Sequence, residues 1–258
     1  MAWKKFPYPD RAFEHTAATL KHAWRSLHAG DAEAWPHDGA LVDVWIDFHA
    51  GRFEAAARAG LDAGMAGYSV ANKATCVHAV YLDPSAPSKC TRLRQVADRC
   101  EQQQATQQPD NAAAFYWHAY ALGRYAQEIS VVKALAQGIG GQVKASLERT
   151  LALSPRHADA HVAMGVYHAE IIDKVGALLG GLTYGASRDQ ALEHFRTALR
   201  LNPGSAITRV EYARAMVMLD GQRQSAAAIA LCEEAAALAP HDAMERLDVE
   251  RARQELAG

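Results

Sequence analysis

The chain reads as an all-α superhelix, a solenoid of paired helices, and three observations predict it. Alanine, the best helix former, supplies 54 of the 258 residues. A helix-ending phrase recurs as Val80-x-Leu82-x-Pro84, Leu151-x-Leu153-x-Pro155, Leu199-x-Leu201-x-Pro203 and, more weakly, Ala236-x-Leu238-x-Pro240. Proline has no N–H with which to continue a helix and biases the residue before it away from one. Finally, Ala191, Phe195 and Ala198 stand four and three residues apart and share one helical face. Phe195 fills the space that its small neighbours leave for the next helix.

The elements follow in order. Residues 11–29 form an amphipathic helix, and residues 41–50 form a second that carries Trp45, Ile46 and Phe48. Residues 1–52 are expected to be N-terminal helices packing on a solenoid that occupies 53–258. Residues 53–65 and 68–82 make a repeat-like pair. Residues 89–108 form a polar helix, whose glutamine-rich end at 101–108, just before Pro109, is the candidate linker or exposed helix. First helices of repeats are expected over 111–127, 158–170 and 206–219, carrying Leu122-Gly123, Met164-Gly165 and Tyr212-Ala213. Second helices end at Pro155, Pro203 and Pro240. Their inward faces are Val143, Leu147 and Thr150, then Ala191, Phe195 and Ala198, then Ala228, Cys232 and Ala235. The same steps back from Pro84 give Asn72, Cys76 and Ala79. Residues 242–256 alternate Arg with Asp or Glu and read as the polar capping helix that closes a solenoid.

The run Ala191-x3-Phe195-x2-Ala198-x4-Pro203 resembles the second helix of a tetratricopeptide (TPR) repeat. That resemblance covers residues 53–257 and implies an array of helix pairs with a concave binding face. The second half, with Gly165-Val-Tyr-His-Ala-Glu170, a Gly-rich insert, Ala191-x3-Phe195 and Glu211-Tyr212-Ala213, resembles bacterial relatives of the regulator-of-microtubule-dynamics proteins. It is also similar to the T component of tripartite periplasmic (TRAP) transporters. Neither family implies a defined enzymatic activity. The prolines at 109, 155, 203 and 240 are 46, 48 and 37 residues apart, where the repeat has about 34. Two repeats therefore carry insertions between their helices, at 131–141 and 175–185. Both are short, apolar and glycine-terminated, and are expected to tuck into the hollow or the edge of the superhelix as short helices.

Composition excludes several classes. A net charge of −2 does not support binding to nucleic acid through bulk positive charge. The longest apolar stretch, residues 175–182, holds three glycines and is far too short to span a bilayer. Four cysteines without a CxxC pair suit a reducing compartment, and no apolar segment follows the first lysines, so a cytoplasmic protein is expected. No phosphate loop, serine elbow or HExxH occurs. No enzyme and no cofactor is expected.

Binding residues follow from the repeat register. With Gly123 at the repeat's glycine position, Trp117, Tyr120, Arg124 and Gln127 face the concave groove, joined by Asp159 and Arg214 from the next repeats. Trp, Tyr and Arg dominate binding hot spots, so a protein or peptide partner is expected there, unless Trp117 and Tyr120 simply pack against the neighbouring repeat. The alternative is a small apolar ligand held between the inserts by Leu178, Leu179, Leu182 and Tyr184. Among the twelve histidines, His157, His161 and His168 share a helical face, where an i,i+4 pair could chelate a metal; an ordinary polar stripe is the plainer reading.

Overall fold

The computed structural model describes residues 2–106, 110–220 and 225–257. Among these residues every regular element is helical. Four helices come first: α1 (Ala17–Leu27), α2 (Gly39–His49), α3 (Phe53–Asp62) and α4 (Tyr68–Val77), the last running into a π turn at His78–Leu82. The long helices α5 (Ala86–Thr106) and α6 (Ala112–Gln127) follow, then the short α7 (Val131–Ala136), α8 (Ile139–Leu153) and α9 (Ala158–Val175). After the short α10 (Ala177–Tyr184) come α11 (Arg188–Leu201), α12 (Ala206–Asp220), α13 (Ala226–Ala236) and α14 (Ala243–Ala257).

The packing is that of a TPR-like superhelix. α6 pairs with α8, α9 with α11 and α12 with α13, each first helix also resting on the neighbouring repeat. The two insertions are α7 and α10, placed between the helices of the first two of these pairs. Side-chain caps fix where helices start: Asn111, Ser130, Ser187 and Ser225 each accept a backbone N–H from the first turn. The prolines fix where they stop, with α8 ending two residues before Pro155 and α11 two before Pro203. Residues 107–108 of the candidate linker or exposed helix, and Pro109 after them, lie outside the described residues. The rest of it is helix, and Gln103 is buried with its amide directed to the Met65 carbonyl.

The faces read from the proline steps are buried. Ala191, Phe195 and Ala198 are inaccessible, and Phe195 stacks flat on Tyr212 with ring centroids 5.0 Å apart. Its other neighbour is Gly165, where an added Cβ would lie 2.7 Å from Phe195 Cε2. This repeat therefore requires glycine where the helices cross.

One feature departs from an open solenoid. α14 does more than cap the end, because Ala243 and Leu247 join the aromatic core built by Phe13, Trp24, Trp45, Phe48 and Phe53. His49 Nδ1 donates to Asp242 at 2.7 Å across 193 residues of sequence. The Tyr81 hydroxyl donates to Asp248, and Arg246 lies over the Tyr8 ring. The superhelix thus closes on itself, with α2 against α14.

Two glycines on the same kind of helix should respond oppositely to alanine. Gly165→Ala should lose about 1–3 kcal/mol through overpacking against Phe195. Gly123→Ala, where nothing lies within 4 Å of the new methyl, should gain about 0.5–1 kcal/mol from helix propensity. Urea midpoints at constant slope would check both, and equal effects would refute the close crossing at Gly165.

A chamber inside the superhelix

Closure of the ring leaves a chamber of about 150 Å³ on the concave side. Its floor is apolar. α6 contributes Tyr116 and Tyr120, α8 contributes Val143, and α9 contributes Val162 and Val166. The π turn adds Tyr81 and α14 adds Met244, so the closing contact is itself a wall. Val131 and Leu135 of α7 and Tyr184 of α10 border it on the insert side. Past Arg124 the chamber meets a wider open groove of about 840 Å³, flanked by Arg214, Val217, Met218, Ile229 and Glu255. Arg124, Gln127, Glu170 and Glu211 border both spaces.

That junction is a neutralised charge lattice. Arg124 Nη2 donates to Glu211 Oε1 at 2.6 Å, and its guanidinium lies 5.2 Å from the Tyr120 ring centroid. Gln127 Nε2 donates to Glu170 at 2.5 Å, and Arg214 donates to Glu255. Burial alone would raise the Glu211 carboxyl, but Arg124 and Arg214 outweigh it and hold the group below the ordinary range.

Asp159 differs. It occupies the first turn of α9, where its backbone N–H donates to the Gly30 carbonyl at 2.9 Å. Its carboxyl presses on the bare face of Gly30: a Cβ there would stand 2.5 Å from Oδ1. No hydrogen bond to that carboxyl is formed among the described residues. Burial, and then the nearby Asp31, push it up to about 7 against the pull of Lys73.

The structure separates the residues expected from sequence. Tyr120, Arg124, Gln127 and Asp159 border the chamber, and Arg214 borders the groove beyond. Trp117 does not: it is 3% exposed, in the core with Leu93, Val96 and Leu147. α6 is flanked by α5 and α8, which leaves only a narrow concave stripe, and Tyr120 takes it. Tyr184 borders the chamber, but Leu178, Leu179 and Leu182 point outward at 77%, 61% and 78% exposure. The inner face of α10 is Gly180, where an added Cβ would lie 3.1 Å from Ile171 Cγ2 and 3.7 Å from Ala186 Cβ, and the flanking leucines are turned away.

The histidines also part. His157 is buried against the Tyr116 ring and caps α9 by accepting the Ala160 N–H. His168 accepts the Ser187 N–H. His161 Nδ1 faces His194 Nδ1 at 2.9 Å, one ring donating to the other. No three metal-ligating side chains converge among the described residues. Sequence reading missed His194 on α11, and also Tyr81, Tyr116 and Met244 in the chamber wall. Tyr81 was in view as the free position of the Val80-x-Leu82-x-Pro84 phrase.

The proton that the fold keeps on Asp159 between its ordinary pKa of 3.8 and about 7 is absent from the unfolded chain over that range. Stability tied to this group is therefore complete below pH 3.8 and is lost as pH rises to about 7. Asp159→Asn should be more stable than the parent by about 4 kcal/mol at pH 8 and by much less at pH 4. Urea unfolding at both pH values measures this, and a pH-independent difference would refute it.

Solved structures and family profiles place this architecture. A solved thermophilic TPR protein of Thermus thermophilus superposes with a TM-score of 0.58 at 18% identity, covering 83% of this chain and 97% of its own. That likeness shows the fold. No curated protein matches the chain. The profile of the regulator of microtubule dynamics protein 1-3 family matches residues 71–257, which include α5 to α14 and the whole chamber wall. The chain therefore belongs to the regulator of microtubule dynamics protein 1-3 family, built on a TPR-like superhelix.

Proposed function

We propose that the protein is a non-enzymatic scaffold that binds a segment of a protein partner along its hollow, with one apolar anchor of that segment in the chamber. The observation that carries this reading is continuity: the chamber and the open groove share Arg124, Gln127, Glu170 and Glu211. An extended segment entering by the groove would pass a self-neutralised polar junction and end against apolar walls. The array of repeats supplies the concave surface such proteins use. A small apolar molecule filling the chamber alone is the second reading, supported by the chamber's volume, since a dry apolar cavity of about 150 Å³ holds a ligand the size of benzene.

A photo-crosslinking residue in place of exposed Gln127 tests the first reading in cells of the native host. A discrete protein adduct is expected, and Val166→Trp, which fills the chamber, should reduce it at least about tenfold. An adduct untouched by Val166→Trp would remove the chamber from the binding site. A retained small-molecule mass without any protein adduct would favour the second reading.

Arg124→Ala is a poor probe of binding for a stated reason. The side chains of Arg124 and Glu211 are 14% and 5% exposed, so truncation leaves a buried carboxylate without its bonded cation, with only Arg214 at 3.9 Å. It should cost about 3–5 kcal/mol of stability, read as a lowered urea midpoint; a loss under about 1 kcal/mol would show that water already screens the pair.

A further inference from the structure

The charges of the chamber wall are paired, with one exception. Glu211 holds Arg124, and Glu170 takes Gln127 with Lys174 at 3.6 Å. Asp159 alone accepts nothing among the described residues, although it borders the cavity. The groups facing it come from four directions. Asp31, from the loop after α1, is bound to Lys73 of α4 at 2.6 Å, and that pair is neutral overall. Tyr116 of α6 is uncharged. Asp248 of α14 is pushed well up by burial, with its acceptor capacity used by Tyr81. On α9 itself, His157 is lowered to about 4 by burial and is neutral. One carboxyl without a bonded counter-charge therefore borders a cavity whose other charged lining groups, Arg124, Glu170, Lys174 and Glu211, are paired, beside valines and Tyr81, Tyr116 and Tyr120. Aromatic rings tolerate and attract cations, where they would not attract an anion.

We propose that the chamber receives an alkylammonium group, its methylene stem against Val162 and Val166 and its ammonium on Asp159. The inference rests on the chamber being the binding site. The volume sets the size: a stem of about four methylenes fits a cavity that suits benzene. That is the side chain of a lysine in the partner segment, or a free alkyl amine of the same length.

Binding is linked to protonation. The ammonium pairs with the ionised carboxylate only, so close to one proton leaves Asp159 on binding at pH 6 and only about a tenth of one at pH 8. With the free group at about 7, the ionised fraction rises from about 10% at pH 6 to about 90% at pH 8, and affinity should rise roughly tenfold.

The test is a titration of the full chain, followed by NMR, with n-butylammonium, n-butanol and n-butyrate at pH 6 and pH 8. At pH 8, n-butylammonium should bind at least tenfold more tightly than n-butanol, and n-butyrate should bind weakest. Asp159→Asn should bring the ammonium and the alcohol to parity. Acetyl-Leu-Lys-Leu-amide against its Nε-acetylated form distinguishes the sources: a preference for the free lysine peptide over n-butylammonium assigns a peptide lysine, and the reverse assigns a free amine. Equal binding of all three probes, or an affinity flat between pH 6 and pH 8, overturns the ammonium and leaves the chamber standing. No binding of any probe overturns the chamber as well. The pH profile belongs to the parent protein, so it decides the matter even if the variant fails to fold.

Discussion

The ammonium of Lys73 is the point on which the closed shape depends. It is buried, bound to Asp31 at 2.6 Å, and 5.1 and 5.7 Å from the ring centroids of Phe48 and Trp45. Burial alone would lower it, but Asp31, Asp242 and Asp159 more than offset that and keep it charged. Those three acids come from the loop after α1, the start of α14 and the start of α9. A single cation, paired with Asp31 and attracted by Asp242 and Asp159, thus sits among the segments that close the ring, in a place where an acid by itself is costly to bury. Removing it would leave Asp31 with His28 and Asp242 with His49 as side-chain partners, and no cation between them.

Much of the architecture was legible because local signals agreed with tertiary demands. The proline phrase marked where α8 and α11 end, and the spacing of Ala191, Phe195 and Ala198 marked a face that proves inaccessible. The inserts were legible as short helices from their apolar runs and terminal glycines. Their orientation was not, because it depends on Gly180 meeting Ile171, a contact between helices that period alone does not encode. Trp117 illustrates the same gap. A helix flanked on two sides buries more of its circumference than the repeat register implies, so an aromatic one position from the groove belongs to the core. The seam was the least legible part, since His49 and Asp242 gain a role only when the superhelix curves far enough to bring them together.

The two short inserts therefore act on the hollow indirectly. Val131, Leu135 and Tyr184 narrow the chamber, and Leu178, Leu179 and Leu182 of α10 remain on the outside. Insertion between the helices of a repeat lets the array keep its stacking while one side gains depth. A groove that would otherwise be shallow becomes a chamber with an end wall.

Closure of α2 against α14 also changes how the molecule responds to stress. An open array is held by nearest-neighbour contacts, and its terminal repeats can fray independently. Here the terminal repeats are each other's neighbours, so fraying at either one exposes the aromatic core and the charged seam together. Closing that contact orders a loop of about two hundred residues, an entropic cost that grows only slowly with length. Ring closure is thus among the most non-local contacts of the fold, and it links the terminal repeats to each other.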